Sequence, residues 1–469
     1  MSDTFDLVVI GAGPAGEAAA YLARERGASV AIVDRELFGG SCPFWACMPS
    51  KTLLHAAAVH ALGGDYPWER ASARRDYMIS REGTAFPSDA GHVRGLESAG
   101  ATVIRGTARI SGPETVIVEP ADGSAPRALR AASIIVAVGT QPRHPDIAGL
   151  ETIRPWTNRE ATSTRELPRS LVVLGAGPSG VELAQVYARY GVPTILVASR
   201  DRVLPRDHPR NSEALAAGLR RDGVEVRTGV RATRIRAAAG AYGAHLVELS
   251  DGARVAGHEI LLAAGRVAPL EGLGLETIGA QIEGGRPAVD DHLRAAPGVY
   301  VVGDPAGPEM HTHLAHYEGE MAVRIALGDP VSPDLRAIPH ATYTDPETAG
   351  VGLSLEEASA AGIDAFEEWV DLATSAKGYV AEAEGHVTIV VDRRRATLAG
   401  AFIAGPGAPE AIHEAVLAVK TATPLAVLAD TIHAFPTTAR VMGGLFVTAA
   451  RRIGDENVSE PPTMGGSPA

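Results

Sequence analysis

Cysteine is nearly missing from this chain. Only Cys42 and Cys47 occur among its 469 residues, and four residues separate them. A small secreted scaffold needs several disulfides, so that class of protein is excluded. A metal site needs further ligands of the same kind nearby, and the neighbouring sequence contains none. We therefore expect no metal and interpret the pair as a local redox centre, with a purely structural role as the alternative.

Excess positive charge and long apolar runs are absent as well. The net charge is −13 and the pI is near 5.6, so the chain has no basic surface for a nucleic-acid backbone or an anionic membrane. No stretch approaches the ~20 apolar residues of a membrane helix, and no basic segment precedes the first apolar strand. We expect a soluble, cytoplasmic protein whose partners are small molecules. Only three of the 43 basic residues are lysine, which makes Lys51 notable.

One segment occurs twice in the sequence. Residues 7–16, LVVIGAGPAG, return as residues 171–180, LVVLGAGPSG. Each copy combines an apolar strand, a glycine turn and the start of a helix rich in Ala, Leu and Glu. Each is followed further along the chain by another buried-strand pattern that stops at glycine, over 134–139 and 260–265. The repeat predicts an α/β fold with two doubly wound dinucleotide-binding domains.

The pattern changes near residue 338, where strands and helices alternate without phosphate-binding glycines. This change predicts a third domain of α+β type that binds no nucleotide. The predicted organisation is a first nucleotide domain over 1–150 and 270–335, a second over 151–269, the third domain over 336–453, and a disordered Gly/Pro/Ser-rich tail over 454–469.

The first glycine turn has the spacing of a pyrophosphate site. Gly11, Gly13 and Gly16 permit a tight turn and a close approach of the backbone to phosphate at a helix N-terminus. Asp34 ends the next predicted strand, where its carboxylate can accept hydrogen bonds from a ribose. A glycine turn without a ligand is the alternative, but the strand, the helix and the acid together favour a bound dinucleotide.

The second glycine turn differs at one informative position. Gly175, Gly177 and Gly180 repeat the spacing, but Ala198 stands where the first copy has its acid. A carboxylate at that position would repel a 2′-phosphate, whereas the residues that follow it can bind one. These residues are Ser199, Arg200 and Arg202. The pattern predicts NADPH in preference to NADH, and the alternative is that the arginines only solvate a loop.

Both cysteines lie in the segment from Gly39 to Lys51, GGSCPFWACMPSK, which leads into an apolar helix pattern. Pro49 suits the first turn of that helix. Cys47 would then lie at the helix N-terminus, where the helix dipole stabilises a thiolate. The segment therefore predicts a reactive cysteine next to a second one.

This segment resembles that of the pyridine nucleotide-disulfide oxidoreductases, the group of dihydrolipoamide dehydrogenase, glutathione reductase and mercuric reductase. The resemblance runs from Phe5 to about Ile453. Beside the two cysteines and the Pro-Ser-Lys that follows them, its motifs are Ala264–Arg266, Gly303-Asp304 and TDPE at 344–347. It implies FAD in the first nucleotide domain and a homodimer joined through the C-terminal dimerisation domain.

The resemblance also implies roles for single residues. Cys47 would face the flavin as a thiolate, and Cys42 would exchange with the substrate. Lys51 would lie near the flavin and pair with Glu182, while Asp304 would bind the ribityl chain. The remaining implied cofactor contacts are Gly139, Gly265, Gly303 and, on a helix whose N-terminus points at the flavin, Ala315.

The C-terminal segment departs from the family pattern. Members that reduce disulfides carry His-Pro followed by Glu, and the histidine acts as acid and base on the exchanging thiol. Here Phe435 replaces that histidine and Arg440 replaces the glutamate. His433 lies two residues earlier and is a candidate catalytic base in its place. The alternative is that His433 is an ordinary interface histidine.

The leading hypothesis is an NADPH-dependent enzyme that reduces a disulfide or another small electrophile through Cys42 and Cys47. No second cysteine pair occurs near the C-terminus, which separates the chain from mercuric reductases and large thioredoxin reductases. Phe435 and the aromatic residues at 44–45 argue against glutathione disulfide and lipoamide as substrates. The alternatives are direct reduction of a quinone or other acceptor by the flavin, and a redox sensor with little turnover.

Overall fold

Two compact units make up the protein in the computed structural model, which describes residues 3–80, 86–238, 243–307 and 309–459. The first unit comprises Met1–Val197 and Arg231–Asp334, and the second comprises Ala198–Val230 and Leu335–Ala469. Within the described ranges, no helix is both long enough and apolar enough to cross a membrane.

The helices and strands are numbered in chain order. The helices are α1 (Pro14–Glu25), α2 (Ser41–Trp45), α3 (Cys47–Ala61), α4 (Trp68–Ser80), α5 (Ala90–Ser98), α6 (Asn158–Ser163), α7 (Pro178–Arg189), α8 (Pro209–Arg221), α9 (Thr312–Ala326), α10 (Leu355–Ala360), α11 (Ala376–Ala381), α12 (Ala408–Thr421), α13 (Leu425–Asp430) and α14 (Thr438–Ser459). The strands are β1 (Thr4–Ile10), β2 (Val30–Asp34), β3 (Thr102–Gly112), β4 (Thr115–Pro120), β5 (Arg127–Val136), β6 (Gln141–Pro142), β7 (Leu171–Leu174), β8 (Thr194–Val197), β9 (Glu225–Arg227), β10 (Ala232–Arg236), β11 (His245–Leu249), β12 (Arg254–Gly257), β13 (Glu259–Leu262), β14 (Arg266–Val267), β15 (Ile282–Glu283), β16 (Arg286–Pro287), β17 (Arg294–Ala296), β18 (Val299–Val301), β19 (His340–Thr342), β20 (Thr348–Gly352), β21 (Ala365–Asp371), β22 (His386–Asp392) and β23 (Thr397–Ala404).

A parallel sheet forms the centre of the first unit, in the order β3-β2-β1-β5-β18. The last four residues of β1 are all buried, as expected for a central parallel strand that helices cover on both faces. Strands β3 and β5 extend beyond this sheet and pair antiparallel with β4. Helices α1 and α9 approach closely, since a Cβ at Gly319 of α9 would lie 2.2 Å from the Ala15 oxygen of α1.

The second copy of the repeat builds a second parallel sheet in the first unit, where β7 lies between β13 and β8. The two glycine turns have the same geometry. Gly11 has a φ of +100°, and a Cβ there would lie 2.3 Å from the Ala137 oxygen. Gly175 has a φ of +117°, and a Cβ there would lie 2.2 Å from the Ala263 oxygen. The prediction of two dinucleotide-type sheets is confirmed.

An antiparallel sheet in the order β19-β20-β23-β22-β21 forms the centre of the second unit. Strand β22 is buried along its whole length. Helices α12 and α14 contribute apolar side chains to the same core, among them Ile412 and Phe446. This architecture is the α+β domain that the sequence predicts after residue 336.

Two predicted boundaries differ from the structure. Residues 198–230 group with the second unit instead of the second nucleotide domain. The reason is a set of buried polar contacts, such as the bond from the Asn211 amide to the Ala349 oxygen at 3.2 Å. Helix α14 continues to Ser459, six residues into the segment predicted as a disordered tail. Residues 460–469 lie outside the described residues.

A buried histidine lies in the core of the second unit. The two ring nitrogens of His386 contact Asn211 Oδ1 at 2.8 Å and Thr388 Oγ1 at 2.9 Å. A neutral ring satisfies both contacts, donating to the amide oxygen and accepting from the hydroxyl. Burial lowers the pKa of His386 to about 3, and the neighbouring His208 adds to the effect. The folded protein therefore holds this imidazole uncharged.

This histidine is expected to destabilise the fold in acid. The unfolded chain takes up a proton at His386 below pH 6.5, whereas the folded chain does not until about pH 3. The neutral His386 therefore contributes its full share of the free energy of unfolding above pH 6.5. This share is lost as the pH falls from 6.5 towards 3, by about 3 kcal/mol at pH 4. A His386→Gln variant keeps a donor and an acceptor but cannot titrate. Its free energy of unfolding, measured with urea from pH 7.5 to pH 4, should fall less steeply than that of the wild type.

The matched control is His413→Gln, which removes an exposed histidine from α12. This variant should follow the wild-type curve. If the free energy of unfolding fell equally steeply with pH in the wild type and in His386→Gln, the lowered pKa of His386 would be contradicted.

Candidate active site

The two cysteines lie at the junction of α2 and α3. Helix α2 is short, and the side chain of Phe44, which is only 2% exposed, packs it against the protein. Cys42 lies in α2, and Cys47 is the first residue of α3, which begins directly after Ala46. The prediction that Cys47 lies at a helix N-terminus is confirmed. Backbone N–H groups without a helical partner and the helix dipole both stabilise a thiolate there.

A threonine hydroxyl contacts both sulfur atoms. Thr312 is the first residue of α9, and its Oγ1 lies 3.3 Å from Cys42 Sγ and 3.4 Å from Cys47 Sγ. The hydroxyl is the donor toward Cys42, and either atom can be the donor in the contact with Cys47. Thr312 was not predicted from the sequence, because it lies 265 residues beyond Cys47 and no motif singles it out.

Hydrogen bonding and charge make Cys47 the more acidic thiol. A hydrogen bond from Cys42 is the main cause that lowers the pKa of Cys47 to about 6; Thr312 and the charge of Lys51 add to this, and burial opposes it. The same contact between the sulfurs, together with burial, raises the pKa of Cys42. When the dithiol carries one negative charge near neutral pH, that charge resides on Cys47.

An ion pair lies one helical turn beyond the cysteines. Lys51 Nζ contacts Glu182 Oε2 at 2.8 Å, and the Glu182 side chain is only 3% exposed. The Ser50 hydroxyl also donates to Glu182, at 3.4 Å. Lys51 lies in α3, and Glu182 lies in α7, the helix that follows the second glycine turn. The structure thus joins the two residues that the family resemblance pairs, and it connects the cysteine helix to the second nucleotide turn.

The first glycine turn is shaped for close approach of a ligand to the backbone. Gly16 allows no side chain, since a Cβ would lie 1.9 Å from the Gly11 oxygen. Gly13 caps α1, whose first N–H groups have no partner within the helix. Asp34 ends β2, and its carboxylate accepts the Ala12 N–H at 2.7 Å. Burial raises the pKa of Asp34. The turn, the helix N-terminus and the acid lie together as the sequence predicts.

The second glycine turn repeats this arrangement. Gly177 caps α7, and a Cβ at Gly180 would lie 2.0 Å from the Gly175 oxygen. Gly265 has a φ of +105°, a conformation that favours glycine. Its neighbour Arg266 donates from Nε to Thr140 Oγ1 at 2.7 Å.

The Gly303-Asp304 pair lies beside α9. The Asp304 carboxylate accepts a hydrogen bond from Thr140, the residue after Gly139, and lies 3.9 Å from Arg266. Ala315 is buried next to Gly303, where a Cβ would lie 3.4 Å from the Ala315 Cβ. These implied cofactor residues are therefore grouped at one place in the first unit.

A buried carboxyl group supports this strand end. Glu318 is 1% exposed and accepts the Gly303 N–H at 2.7 Å. Burial raises the pKa of Glu318 to about 7, with a smaller contribution from the charge of Asp304. Sequence reasoning missed Glu318 because its position in the inner face of α9 is visible only in three dimensions.

The residues predicted to bind a 2′-phosphate fall in the second unit. Ser199 and Arg200 are exposed, and Ala198 is buried. Arg202 is partly buried, and its Nη2 donates to the Pro205 and Asp207 oxygens at 3.3 and 3.4 Å. Those bonds tie the guanidinium to its own loop. Ser199 and Arg200 are thus the predicted phosphate ligands whose side chains face solvent.

His433, the candidate base in place of the missing histidine, lies beside a carboxylate. His433 Nε2 lies 2.9 Å from Glu414 Oε1, and the side chain is only 7% exposed. Phe435, in contrast, is 74% exposed. The carboxylate on α12 contacts the imidazole, whose ring centre also lies 6.3 Å from that of Phe446 in α14. Among the described residues, no cluster of His, Cys, Asp or Glu could hold a metal ion.

Relatives of known sequence resemble the chain over nearly its whole length. The model of the pyridine nucleotide-disulphide oxidoreductases matches residues 5–319, and the model of their dimerisation domain matches residues 338–445. A dihydrolipoyl dehydrogenase of Chlorobaculum tepidum is 34% identical over 451 residues, which cover 92% of this chain and 94% of the relative. That of Thermus scotoductus is 34% identical over 457 residues, with coverage of 92% and 95%.

Solved structures agree with the sequence matches. LpdA from Mycobacterium tuberculosis superposes with a TM-score of 0.84 at 30% identity, over 95% of this chain and 99% of that chain. The HOCl-induced flavoprotein disulfide reductase RclA from Escherichia coli superposes with a TM-score of 0.83 at 24% identity, over 94% and 99%, a likeness that shows the fold alone. The chain belongs to the pyridine nucleotide-disulphide oxidoreductase family, whose members are flavoprotein enzymes with a redox-active disulfide, and it carries that family's dimerisation domain.

Proposed function

We propose that the enzyme passes electrons from NADPH through FAD to the Cys42–Cys47 pair and from there to a small disulfide or related electrophile. The observation that carries this proposal is the thiol pair itself. Cys47 lies at the start of α3 with a pKa lowered to about 6, and Cys42 lies beside it in α2. Such a pair can alternate between a disulfide and a thiol–thiolate at neutral pH.

The residues of the first unit fit FAD. Gly11 and Gly16 permit the tight turn and the close packing of α1 against it, and the N-terminus of α1 supplies N–H donors for a pyrophosphate. Asp34 and Asp304 offer carboxylates for hydroxyl groups of the ribose and the ribityl chain. When bound, FAD supplies the two-electron chemistry that connects a hydride donor to a disulfide.

The protein's own groups then direct thiol exchange. Cys42, as a thiolate, attacks one sulfur of an acceptor disulfide and releases the other sulfur as a thiolate. The thiolate of Cys47 then attacks Cys42 in this mixed disulfide, releases the second acceptor thiolate and restores the Cys42–Cys47 disulfide. The acceptor gains two electrons and the cysteine pair loses two. Lys51, held by Glu182, contributes a positive charge that favours the Cys47 thiolate.

We propose that the acceptor differs from the dihydrolipoyl group after which the relatives are named. Phe435 stands where those that reduce disulfides have a histidine, and His433 is bound to Glu414. Without an acid to protonate it, a leaving thiolate must be stable by itself. We therefore expect acceptors with a low-pKa thiol, such as aromatic disulfides, to react at least ~100-fold faster than glutathione disulfide or lipoamide.

Thiol counting tests the proposed function. The purified protein is incubated anaerobically with one equivalent of NADPH, and free thiols are labelled and located by peptide mass spectrometry. We expect two new thiols per chain, at Cys42 and Cys47, in the NADPH sample alone. Oxidation of the NADPH without any new thiol would contradict the proposal and favour direct reduction of the acceptor by the flavin.

We propose that Arg200 selects NADPH. Its guanidinium is exposed and follows Ala198, where the first copy of the repeat has a carboxylate. An Arg200→Ala variant should raise the KM for NADPH about 10-fold, because a charge-assisted bond to the 2′-phosphate is lost, and should leave the KM for NADH unchanged. Steady-state kinetics with both nucleotides measure the difference.

The matched control for Arg200 is Arg206→Ala, an exposed arginine of the same loop. It should leave both KM values unchanged. Equal effects of the Arg200 substitution on NADPH and NADH would show that the side chain only solvates the loop.

A homodimer is proposed from the dimerisation domain. The second unit exposes large apolar side chains in its C-terminal part, among them Leu417 at 64%, Val427 at 55%, Ile432 at 96% and Phe435 at 74%. Apolar surface of this kind is typical of an interface. A sedimentation experiment at micromolar concentration should give twice the mass of the 48.6 kDa chain.

A further inference from the structure

One hydroxyl group contacts both sulfur atoms of the cysteine pair. Thr312 Oγ1 lies within hydrogen-bonding distance of both Cys42 Sγ and Cys47 Sγ, at 3.3 and 3.4 Å. A hydroxyl has a single proton, so it can donate to only one sulfur at a time. It is the donor toward Cys42, and in the contact with Cys47 either atom can be the donor. The arrangement suits a dithiol with one proton and one negative charge, because the hydroxyl can donate to the charged sulfur in either placement of that charge.

We propose that Thr312 is a positioning residue that donates its hydrogen bond to whichever sulfur carries the negative charge. While Cys47 is the thiolate, the hydroxyl donates to Cys47. When the proton passes from Cys42 to Cys47, the hydroxyl turns and donates to Cys42. One proton leaves Cys42 and one arrives at Cys47, and no electron moves.

This inference rests on the proposed function. It names a group that can take the proton of Cys42 in place of the missing histidine. Cys42 must become a thiolate to attack an acceptor, yet Phe435 cannot take its proton. Cys47 can take that proton instead, and the Thr312 hydroxyl then stabilises the charge left on Cys42. A hydrogen bond to a charged group contributes more than one between neutral groups, so the donor must follow the charge to be effective.

The charged groups around the pair favour a single negative charge. Lys51 of α3 stabilises the Cys47 thiolate, and Glu182 of α7 opposes it. Arg266, which follows Gly265, also interacts with Cys47. At the start of α9, His311 and His313 flank Thr312 in sequence and stack on each other with ring centres 5.0 Å apart. Among these groups, Thr312 has the hydroxyl that contacts both sulfurs.

Single-thiol proteins separate the two hydrogen bonds. Cys42→Ser and Cys47→Ser variants each leave one thiol, and Thr312→Val removes the hydroxyl with little change in volume. Each FAD-containing protein is reduced, desalted and treated with iodoacetamide from pH 5 to pH 10, and the rate at the remaining cysteine is followed by peptide mass spectrometry. Adding Thr312→Val should shift the midpoint of both profiles upward and slow alkylation about 10-fold below each midpoint.

Conservative and control variants exclude a merely structural role. Thr312→Ser keeps the hydroxyl and should restore both profiles. Thr52→Val removes a hydroxyl of α3 that donates to the Met48 oxygen and should change neither profile. A shift at only one cysteine, or failure of serine to restore the profiles, would overturn the proposal.

The outcome is distinguishable from failure of the proposed function. Alkylation profiles are measured without NADPH or an acceptor. If both profiles shift but NADPH produces no new thiols, the role of Thr312 stands and the proposed electron path fails. If NADPH produces two thiols and neither profile shifts, the electron path stands and the role of Thr312 is overturned.

Discussion

Replacing Cys42 with serine is expected to lower NADPH-driven reduction of an aromatic disulfide by about 1,000-fold or more. A serine hydroxyl is almost fully protonated at pH 7 and cannot form the mixed disulfide, whereas a cysteine in this position can. Cys47 remains in place at the start of α3, so the effect isolates the exchanging thiol. The measurement is NADPH oxidation at saturating acceptor.

The matched control is Met48→Leu, a substitution of the partly exposed residue next to Cys47. It should retain wild-type turnover. Turnover of the Cys42→Ser variant within a few fold of wild type would contradict the thiol pathway. In that case the flavin itself would reduce the acceptor, which is the competing enzyme hypothesis.

The Gly11→Ala variant is expected to lose FAD. Gly11 has a φ of +100°, and a Cβ would lie 2.3 Å from the Ala137 oxygen, so the turn must shift where the pyrophosphate approaches. We expect a cost of about 3 kcal/mol or more, which corresponds to at least ~100-fold weaker FAD binding. The measurement is the flavin-to-protein ratio after purification, followed by titration with FAD.

Two further glycines serve as controls. Gly175→Ala introduces the same clash into the second turn, with the Ala263 oxygen at 2.2 Å, and should leave FAD bound while abolishing reduction by NADPH. Gly27→Ala has a comparable φ of +80° but open space around the added Cβ, and should retain both functions. Circular dichroism confirms that each variant is folded. Full FAD content in Gly11→Ala would contradict the assignment of the first turn.

The parts of the site that sequence predicts are those in which local chemistry decides the structure. Gly11 and Gly175 each follow an apolar strand and precede a helix, so backbone sterics alone require the turn. The same holds for Cys47, because Pro49 suits the first turn of a helix and therefore sets where the helix begins. The family resemblance added the pairing of Lys51 with Glu182, which no local pattern indicates.

Long-range contacts account for what the sequence missed. Thr312 and Glu318 lie on α9, far along the chain from the cysteines and the first glycine turn, and an ordinary helix pattern contains both. No local pattern indicates that His433 contacts the carboxylate of Glu414 on α12. The polar contacts of Asn211 likewise assign its segment to the second unit.

Helix α7 begins at the second glycine turn and carries Glu182 four residues after Pro178, about 6 Å along the axis. An anionic nucleotide at its N-terminus would add negative potential near the carboxylate that holds Lys51. Thermodynamic reciprocity then requires that protonation of Lys51 changes the nucleotide affinity by the same factor by which the nucleotide changes the proton affinity of Lys51. Through this helix, a single coupling free energy would link nucleotide binding to the electrostatics of the thiol pair.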